Sequence, residues 1–372
     1  MDQTTAAAPR PAMHYDGDIG ELYGIFLINL LLSIVTLGIF RFWAITRYRR
    51  YLWSHMRFQN ERFEYTGRGG DLFLGFLMAI GILLGLGLGT GLLSALLGMI
   101  NHALAALPII ALYVTILILA FAARFSAQRY RLSRTVWCGI RGGMQGSALR
   151  YGVRSLLYAV MLPFTLFQLV PWVQVRLAER RINASRFGSA AFAFRGRATQ
   201  LYSAYLAVFV GTLLLFALIA GVVWAAVAPS IMPFVGSGVG GDDPRLVHVI
   251  EHAMVLAFGG MILFGVGSSL ISCWYWALLG RHIIGNTTLG PLRLSSVVTG
   301  PGLLWLMLGN ALITLFTLGL GLPIVVHRSA RFLARTLLVT GTLDEATLRQ
   351  SSLAMPRTGE GMLQMLDHGS IF

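Results

Sequence analysis

The stretch GELYGIFLINLLLSIVTLGIFRFWAITRYRRY, residues Gly20 to Tyr51, contains an apolar segment, a Thr36-Leu37-Gly38 break, Trp43 and a run of arginines. An apolar segment followed by clustered arginines is typical of a membrane segment that ends at the cytoplasmic surface. Eroded forms of the same order return twice later in the chain. The stretch therefore predicts a multi-pass membrane protein with internal duplication.

Composition supports the membrane assignment. Of the 372 residues, 56% are hydrophobic and 12% are charged, whereas an ordinary soluble domain has roughly 25% charged residues. A soluble core cannot bury so much apolar surface, so lipid must solvate part of it. The formal net charge of +14 comes from arginine alone, because the chain has no lysine. We attribute this charge to membrane topology and expect no nucleic-acid partner.

Seven apolar stretches have about the 20 residues that a membrane helix needs. They cover residues 19–44, 72–100, 103–125, 152–175, 201–228, 246–279 and 302–326. The predicted fold class is an all-α integral membrane protein, with these seven hydrophobic segments arranged in two and a half tandem repeats. Some of the segments can be re-entrant instead of spanning.

Comparison of the chain with itself supports the duplication. At an offset of 281 residues, the identical matches include Thr317, Leu318, Gly319, Arg328 and Arg331. At an offset of 129, they include Thr165, Leu166, Trp172, Arg176 and Gly196. The predicted organisation is a disordered tail (1–13), membrane repeat 1 (14–150), membrane repeat 2 (151–300), a truncated repeat 3 (301–341) and a polar C-terminal tail (342–372).

A small motif precedes three of the apolar segments. Tyr15-x-Gly17 recurs as Tyr65-x-Gly67 and as Phe194-x-Gly196. We interpret it as a short extended piece followed by a glycine turn and a helix start, where an acidic residue is favoured by the helix dipole. The motif predicts a way of entering helices, not a functional site.

The arginine-rich loops are expected on the cytoplasmic side. This assignment fits the two apolar hairpins, but segment 152–175 has arginine-rich loops at both of its ends. A single crossing would place one of them outside. Pro163 and Pro171 interrupt the segment, so a re-entrant helix and a proline-kinked spanning helix both remain open.

The arginines after the Thr-Leu-Gly break form a candidate lipid interface. Arg47, Arg50 and Arg57 fall on one face of a predicted helix, and an aromatic and apolar stripe lies opposite. This is the pattern of an interfacial amphipathic helix. Anionic membrane lipids are the expected partner, through simple anchoring or specific head-group binding. The full candidate set is Arg47, Arg50, Arg57, Arg176, Arg328, Arg331 and Arg335.

Polar residues inside the apolar segments form a second candidate set. Asn29 and Asn310 occupy equivalent places, and a buried amide there needs an interhelical partner or lines a polar pathway. We expect the Thr-Leu-Gly breaks to pack at the interface between repeats. The candidate residues of that interface are Asn29, Thr36, Gly38, Asn310, Thr317 and Gly319.

Two further patterns concern partners and metals. The glycine-rich helices, around Gly81 to Gly91 and Gly260 to Gly267, have small-residue spacing that suits packing within the chain or in a homo-oligomer. His248, Glu251 and His252 match an inverted zinc-peptidase pattern, just after Asp242 and Asp243. Without a further ligand the pattern is weak, so we expect no metal, no cofactor and no enzymatic activity.

Several of these residues resemble a known family. Glu21-Leu22, Asn29, Thr36-Leu37-Gly38, Arg47-Tyr48-Arg49-Arg50 and Trp137-x-Gly139-Ile140-Arg141 are similar to the YjgN-type bacterial inner-membrane family, a domain of unknown function. Arg41-Phe42 departs from the proline expected before Trp43, whereas Pro171-Trp172 keeps it. The resemblance implies an inner-membrane location and no established activity.

The functional expectation stays broad. The apolar segments have no acidic residue at mid-span, which argues against an ion-driven pump. We expect a transport, channel-like or lipid-interacting role. The alternatives are a scaffold subunit of a membrane complex and, more remotely, a zinc-dependent membrane hydrolase.

Overall fold

The structure is a computed structural model that describes residues 10–237, 243–343, 348–350 and 353. The chain forms two compact units. The first contains residues 1–197, 283–297 and 310–372, and the second contains residues 198–282 and 298–309. Residues 1–9 of the expected tail and most residues of the expected C-terminal tail lie outside the described part.

Helices and short strands alternate along the chain. The helices are α1 (Ile19–Val35), α2 (Arg41–Ser54), α3 (Gly69–Ile100), α4 (Ala106–Arg134), α5 (Ala148–Phe164), α6 (Val170–Ala184), α7 (Tyr202–Ile231), α8 (Pro244–Gly285), α9 (Gly300–Phe316) and α10 (Leu322–Thr336). The strands are β1 (Arg10–Pro11), β2 (Met13–Tyr15), β3 (Met56–Phe58), β4 (Glu61–Tyr65), β5 (Thr135–Trp137), β6 (Ile140–Met144), β7 (Ser185–Phe187), β8 (Ala190–Phe194), β9 (Thr287–Leu289), β10 (Leu292–Ser296) and β11 (Leu337–Thr340). Short 3-10 turns lie at Ala198–Leu201 and Met232–Phe234.

The prediction of an all-α fold is wrong, because the eleven strands form one antiparallel sheet. The order is β1-β11-β10-β9-β8-β7-β6-β5-β4-β3-β2. The two edge strands, β1 and β2, are consecutive parts of one extended stretch on either side of Ala12. Arg10 pairs with Val339 and Met13 pairs with Phe58, so this stretch closes the sheet into a barrel.

Connections of two kinds alternate around the barrel. Two-residue turns join β3 to β4, β5 to β6, β7 to β8 and β9 to β10. Pairs of helices make the other connections, α1–α2, α3–α4, α5–α6, α7–α8 and α9–α10. Successive connections of an antiparallel sheet lie at opposite edges. The tight turns therefore all lie at one open end of the barrel, which we call the turn edge. Every helix pair leaves the sheet at the opposite open end, which we call the helix edge, and returns to it.

Apolar side chains line the interior of the barrel. Its core includes Trp137, Phe187, Leu289, Leu292 and Val339. Phe58, Trp137, Phe187 and Leu289 each end the first strand of a β-hairpin. The indole of Trp137 is 1% exposed, contacts the rings of Phe58 and Phe187, and donates from Nε1 to the Phe58 carbonyl oxygen at 3.1 Å. The interior is thus packed by aromatic and aliphatic side chains.

The prediction of seven hydrophobic segments with the length of a membrane helix is also wrong. In the described residues, four helices are long and apolar enough to cross a membrane: Gly69–Ile100, Ala106–Arg134, Ala198–Phe234 and Pro244–Gly285. The other three predicted segments are the 17-residue helices α1, α5 and α9. Seventeen residues extend about 25 Å, which is less than the roughly 30 Å of a bilayer's hydrocarbon.

Each 17-residue helix ends at a sharp turn that reverses the chain. In the first, Thr36 Oγ1 donates to the Leu32 carbonyl oxygen at 2.7 Å and accepts from the Phe40 N–H at 2.9 Å. Leu37 and Gly38 then adopt positive φ values of 51° and 87°. Leu318 and Gly319 repeat these values at 51° and 88°, and the third turn places Leu166 at 49° and Phe167 at 63°. α1–α2, α5–α6 and α9–α10 are called the short hairpins below.

Close packing is also seen between α4 and α5 and between α7 and α8. In the first unit, α5 lies against α4 so tightly that a Cβ on Gly152 would be 2.4 Å from the Ile118 carbonyl oxygen. In the second unit, α7 and α8 are antiparallel, with Tyr205 against Tyr275 and Phe216 against Phe264. A Cβ on Gly267 would be 2.6 Å from the Leu215 side chain, so this glycine serves packing within the chain.

The structure places the Tyr-x-Gly motif where the sequence suggested. Tyr15 and Tyr65 end strands β2 and β4, and a helix begins within four residues of each. A Cβ on Gly17 or Gly67 would lie within 2.5 Å of the ring of the preceding tyrosine. Glycine is needed because the tyrosine folds back over the turn.

Candidate functional site at the base of the short hairpins

A groove lies beside hairpin α1–α2, near the helix edge of the barrel. Its volume is about 740 Å³, and its walls combine apolar side chains, two arginines and the acidic Glu64. Ile25 and Ile28 of α1 supply the apolar wall, and Arg47 and Arg50 of α2 supply the charge. Both arginines are exposed. We call this space, which is also lined by Tyr51, Ser54, Glu64, Tyr65 and Thr66, the hairpin groove.

Hydrogen bonds hold the two groove arginines in place. Arg47 Nη1 donates to Asn29 Oδ1 at 3.4 Å, and its guanidinium lies over the ring of Phe40. Arg50 Nη2 donates to the Gly67 carbonyl oxygen at 3.0 Å. Asn29 is 3% exposed, and its buried Nδ2 has no hydrogen-bond partner in the described structure. The Asn29 amide thus fixes a cation across the hairpin and keeps one unused donor.

Asn310 makes a comparable link near the third turn. Its Nδ2 donates to Ser329 Oγ of α10 at 3.2 Å. Both asparagines therefore join the two arms of a helix pair, as expected for a buried amide that finds an interhelical partner.

The predicted arginine helix is shorter than expected. α2 ends at Ser54, and Arg57 lies on strand β3, so the prediction that Arg57 shares a helical face with Arg47 is wrong. Arg57 pairs with Asp16 of the β2–α1 connection at 2.8 Å. A strand follows because the chain must rejoin the barrel after one helix.

The remaining candidate arginines lie on α6 and α10. Arg176 is exposed, pairs with Glu179 at 2.9 Å and lies over the Trp172 ring. On α10, Arg331 and Arg335 are exposed and Arg328 is half-buried. α6 and α10 both begin with a proline in their first turn, Pro171 and Pro323, where a missing N–H costs nothing.

The Thr-Leu-Gly residues lie at the tips of the short hairpins, not in a packed interface. Leu37 is 94% exposed and Leu318 is 91% exposed. A Cβ on Gly38 or Gly319 would meet nothing within 4 Å. Thr36 and Thr317 each stabilise the turn in which they lie. Thr317 Oγ1, for example, accepts from the Gly321 N–H at 2.7 Å. These tips are therefore apolar surfaces that contact no other part of the described chain closely.

The zinc-peptidase pattern gathers no metal site in the described residues. His248 Nδ1 lies 3.4 Å from Glu251 Oε2, and both side chains are largely exposed on α8. No group of three or more His, Cys, Asp or Glu side chains within residues 10–237 and 243–343 could hold a metal ion. Asp242 lies outside the described residues.

Five glycines in the middle of α3 have room around them. A Cβ on Gly81, Gly85, Gly87, Gly89 or Gly91 would meet nothing within 4 Å. These glycines therefore do not mediate packing inside the described chain.

Sequence reasoning missed a second cluster of polar residues, where the helices meet the barrel. Gln128 and Arg131 of α4, Arg181 of α6 and Trp53 of α2 line a cavity of about 580 Å³. We call it the arginine chamber. Arg131 and Arg181 each lie four residues before a strand start, and the Thr135 and Ser185 hydroxyls donate to their carbonyl oxygens at 3.0 Å and 2.8 Å.

A titratable contact joins the two ends of the chain near the hairpin groove. Tyr15 Oη and His327 Nδ1 of α10 share a hydrogen bond of 3.3 Å, and both side chains are buried. Burial raises the pKa of the Tyr15 phenol above its usual range. Burial and the neighbouring Arg331 lower the pKa of His327, and Asp18 opposes them. Tyr15 and His327 are therefore neutral at pH 7.

Comparison with known proteins identifies the family. The family described as bacterial protein of unknown function (DUF898) matches residues 10–365. Inner membrane protein YjgN of Salmonella typhimurium strain LT2 is 24% identical over 376 residues, covering 90% of this chain and 89% of that protein. Inner membrane protein YjgN of Escherichia coli K12 is 39% identical over 62 residues, or 16% of each chain. No solved structure matches. The chain is a bacterial inner-membrane protein and belongs to the DUF898 family.

Proposed function

We propose that this protein binds anionic phospholipids of the inner membrane at the bases of its short hairpins. The hairpin groove carries the proposal, because Arg47 and Arg50 lie there beside the apolar wall of Ile25 and Ile28. Arginine holds a phosphate through two parallel hydrogen bonds. An apolar wall next to a pair of arginines suits a lipid whose phosphate binds the arginines and whose acyl chain lies against the apolar wall.

The length of the hairpin supports this placement. From Asn29, which contacts Arg47, to the end of α1 at Val35 is seven residues, or about 10 Å of helix. One leaflet contains about 15 Å of hydrocarbon, half of the bilayer's roughly 30 Å. With Arg47 at the head-group level, the exposed tip at Leu37 ends inside the nearer leaflet. The hairpin would thus enter and leave the membrane on one side.

The proposed topology follows from the same geometry. Five helix pairs leave one edge of the barrel and return to it, so α3–α4 and α7–α8 cross twice and the short hairpins re-enter. The barrel and the arginines then share one side, which is cytoplasmic by the positive-inside rule. This arrangement removes the conflict at residues 152–175. We infer that the repeating unit is one β-hairpin with one helix pair.

The described barrel interior supports lipid binding over conduction along the barrel axis. Trp137, Phe187 and Leu292 pack at its centre. A water-filled path along this axis would need polar side chains at those places. We therefore propose that the protein binds lipid and does not form a pore through its barrel. A homo-oligomer through the open glycine face of α3 is compatible with this role.

Lipid titration of the full-length protein tests the proposal. Purified protein in phosphatidylcholine nanodiscs is titrated with a short-chain phosphatidylglycerol, and bound lipid is counted by native mass spectrometry. Each arginine near an anionic surface contributes about 1 kcal/mol. The double variant Arg47→Gln with Arg50→Gln should therefore bind the lipid about tenfold to thirtyfold more weakly.

The matched control removes two charges elsewhere. Arg245→Gln with Arg293→Gln changes exposed arginines on α8 and β10 and should leave the affinity within twofold of wild type. Equal affinity of the groove variant and the control variant would exclude head-group binding at this groove.

A further inference from the structure

The side chains of the barrel core surround a cavity. Its volume is about 220 Å³, and its walls include Phe187, Leu289 and Leu292. Of its lining side chains, Thr135 and Trp137 carry polar atoms, and both are hydrogen-bonded to main-chain carbonyls. An apolar space whose polar atoms are satisfied stays dry and accepts apolar groups. We call it the barrel cavity.

The barrel cavity adjoins the arginine chamber. Both spaces are lined by Leu132, Thr135, Phe192 and Leu294, so the two meet at the helix edge of the barrel. On the chamber side lie Gln128, Arg131 and Arg181. An apolar space therefore lies next to a cationic one within the first unit, with the four shared side chains at the border between them.

Arg181 lines the chamber and carries a buried donor that is available to a ligand. Its Nε is buried and has no hydrogen-bond partner among the described residues. A buried donor without a partner is costly, so such groups are normally paired. A carboxylate or phosphate in the chamber would accept from this nitrogen and would lie near the guanidinium of Arg131, which also lines the chamber.

Three described residues near the C-terminus contact the opposite end of the barrel. Leu343 and Leu348 pack against the barrel core. Gln350 donates to the Gly139 carbonyl oxygen and accepts from the Arg141 N–H, each at 3.0 Å. Leu343, Leu348 and Gln350 thus lie at the turn edge. This leaves the helix edge, where the chamber lies, as the side from which a ligand would enter the barrel cavity.

We propose that the arginine chamber and the barrel cavity together bind one single-chain anionic amphiphile, with its carboxylate or phosphate head at Arg131 and Arg181 and its tail in the barrel. The sizes fit. The chamber, at about 580 Å³, lies within the range of small-molecule sites. An engineered apolar cavity of about 150 Å³ holds benzene, so 220 Å³ holds the end of an acyl chain.

Binding of dodecyl compounds by the full-length protein tests the charge requirement. Protein in phosphatidylcholine nanodiscs is titrated with dodecyl phosphate, dodecanoate or dodecanol, and one-to-one adducts are counted by native mass spectrometry, with empty nanodiscs correcting for partition. Wild type should bind the better of the two anions at least tenfold more tightly than dodecanol. Arg181→Gln should lose this preference. Arg180→Gln, on the same helix with its guanidinium on Tyr158, should keep it.

A cavity-filling variant tests the tail. Leu294→Trp places a larger side chain where the two spaces meet, and it should weaken binding of all three dodecyl compounds at least tenfold. Melting of each variant in nanodiscs reports whether the fold is intact. Tighter dodecanoate would identify a fatty-acid ligand, and tighter dodecyl phosphate would identify a phosphate lipid.

Two outcomes would overturn the proposal. One is equal binding of the dodecyl anions by wild type, Arg181→Gln and Leu294→Trp proteins that all melt normally. The other is no anionic adduct on wild type at millimolar ligand. The Arg47 and Arg50 variants should leave the adducts unchanged, so this site fails or succeeds independently of the hairpin groove.

Discussion

Asp71 and Arg134 form an ion pair of 3.0 Å across a sequence separation of 63 residues. Asp71 lies in the first turn of α3, and Arg134 is the last residue of α4. The hydroxyl of Tyr130 donates to the same carboxylate oxygen at 3.1 Å. This cluster fastens the start of α3 to the end of α4 at the helix edge of the barrel.

Replacing Asp71 by asparagine should destabilise the protein by about 1–3 kcal/mol, because Arg134 and Tyr130 lose a charged acceptor in a largely buried place. Thermal unfolding in nanodiscs measures the change. Glu61→Gln, at an exposed strand position, should have little effect. A double-mutant cycle with Arg134→Gln isolates the pair, and a coupling energy of zero would contradict this account.

Gly152→Ala should destabilise the α4–α5 packing by about 2 kcal/mol or more, because the new Cβ would come within 2.4 Å of the Ile118 carbonyl oxygen and backbone must move. Gly85→Ala on α3 is the control, since its Cβ would meet nothing within 4 Å. We expect the control to be neutral or slightly stabilising. Similar melting temperatures for the two variants would rule out the close approach.

Acidification should destabilise the fold through His327. Its pKa in the folded state is lowered by burial and by Arg331, whereas in the unfolded chain it is about 6.5. As pH falls below about 6.5, the unfolded state takes up a proton that the folded state resists, so stability falls. Melting temperatures from pH 7.5 to 5.5 should therefore drop more steeply for wild type than for His327→Gln. Parallel profiles would show that this histidine does not contribute.

The topology predicts that Arg150 and Arg180 lie on the same side of the membrane. Arg150 lies in the first turn of α5, and Arg180 of α6 donates to Tyr158 Oη of α5 at 3.3 Å, so the chain returns toward its start. Single cysteines at 150 and 180 should both be protected from a membrane-impermeant maleimide in spheroplasts. A cysteine replacing Asn101, at the turn of the α3–α4 pair, should be labelled. Labelling of only one of positions 150 and 180 would mean that α5 crosses.

Hydropathy and motifs predicted the membrane class and the family, and they located the Thr-Leu-Gly breaks. They did not show that each break reverses the chain. The first apolar stretch, 19–44, joined α1, its turn and the start of α2, because Ile39 and Phe40 are as apolar as the helix before them. Chain reversal depends on the left-handed conformation of Leu37, which a hydropathy average does not detect.

The barrel could not be predicted because its strands carry almost no local signal. They have two to five residues, so an alternating pattern has no room to appear. β6 reads Ile-Arg-Gly-Gly-Met, and Gly142 is required there because a Cβ would lie 2.6 Å from the Leu132 carbonyl oxygen. The turn at Gln59-Asn60 has positive φ at both residues without a glycine. Pairing with distant strands, not propensity, makes these segments extended.

The sequence likewise predicted one of the two candidate sites and missed the other. Arg47 and Arg50 were found because they follow an apolar segment at helical spacing. Arg131 and Arg181 were missed because they share only a position four residues before a strand, and the sequence did not predict the strands. Thr135 follows Arg131 by four residues, and this spacing has a structural meaning only because strand β5 begins at Thr135.

The closure of the barrel sets an order of events during synthesis. Arg10 must pair with Val339, so the N-terminal strand waits for a partner that the ribosome makes more than 300 residues later. Contacts of such separation form slowly. The helix pairs can enter the membrane one after another in the meantime, while the growing sheet keeps two open edges that can pair with other chains. A truncation that removes Leu337–Thr340 should therefore leave a protein that inserts but aggregates through those edges.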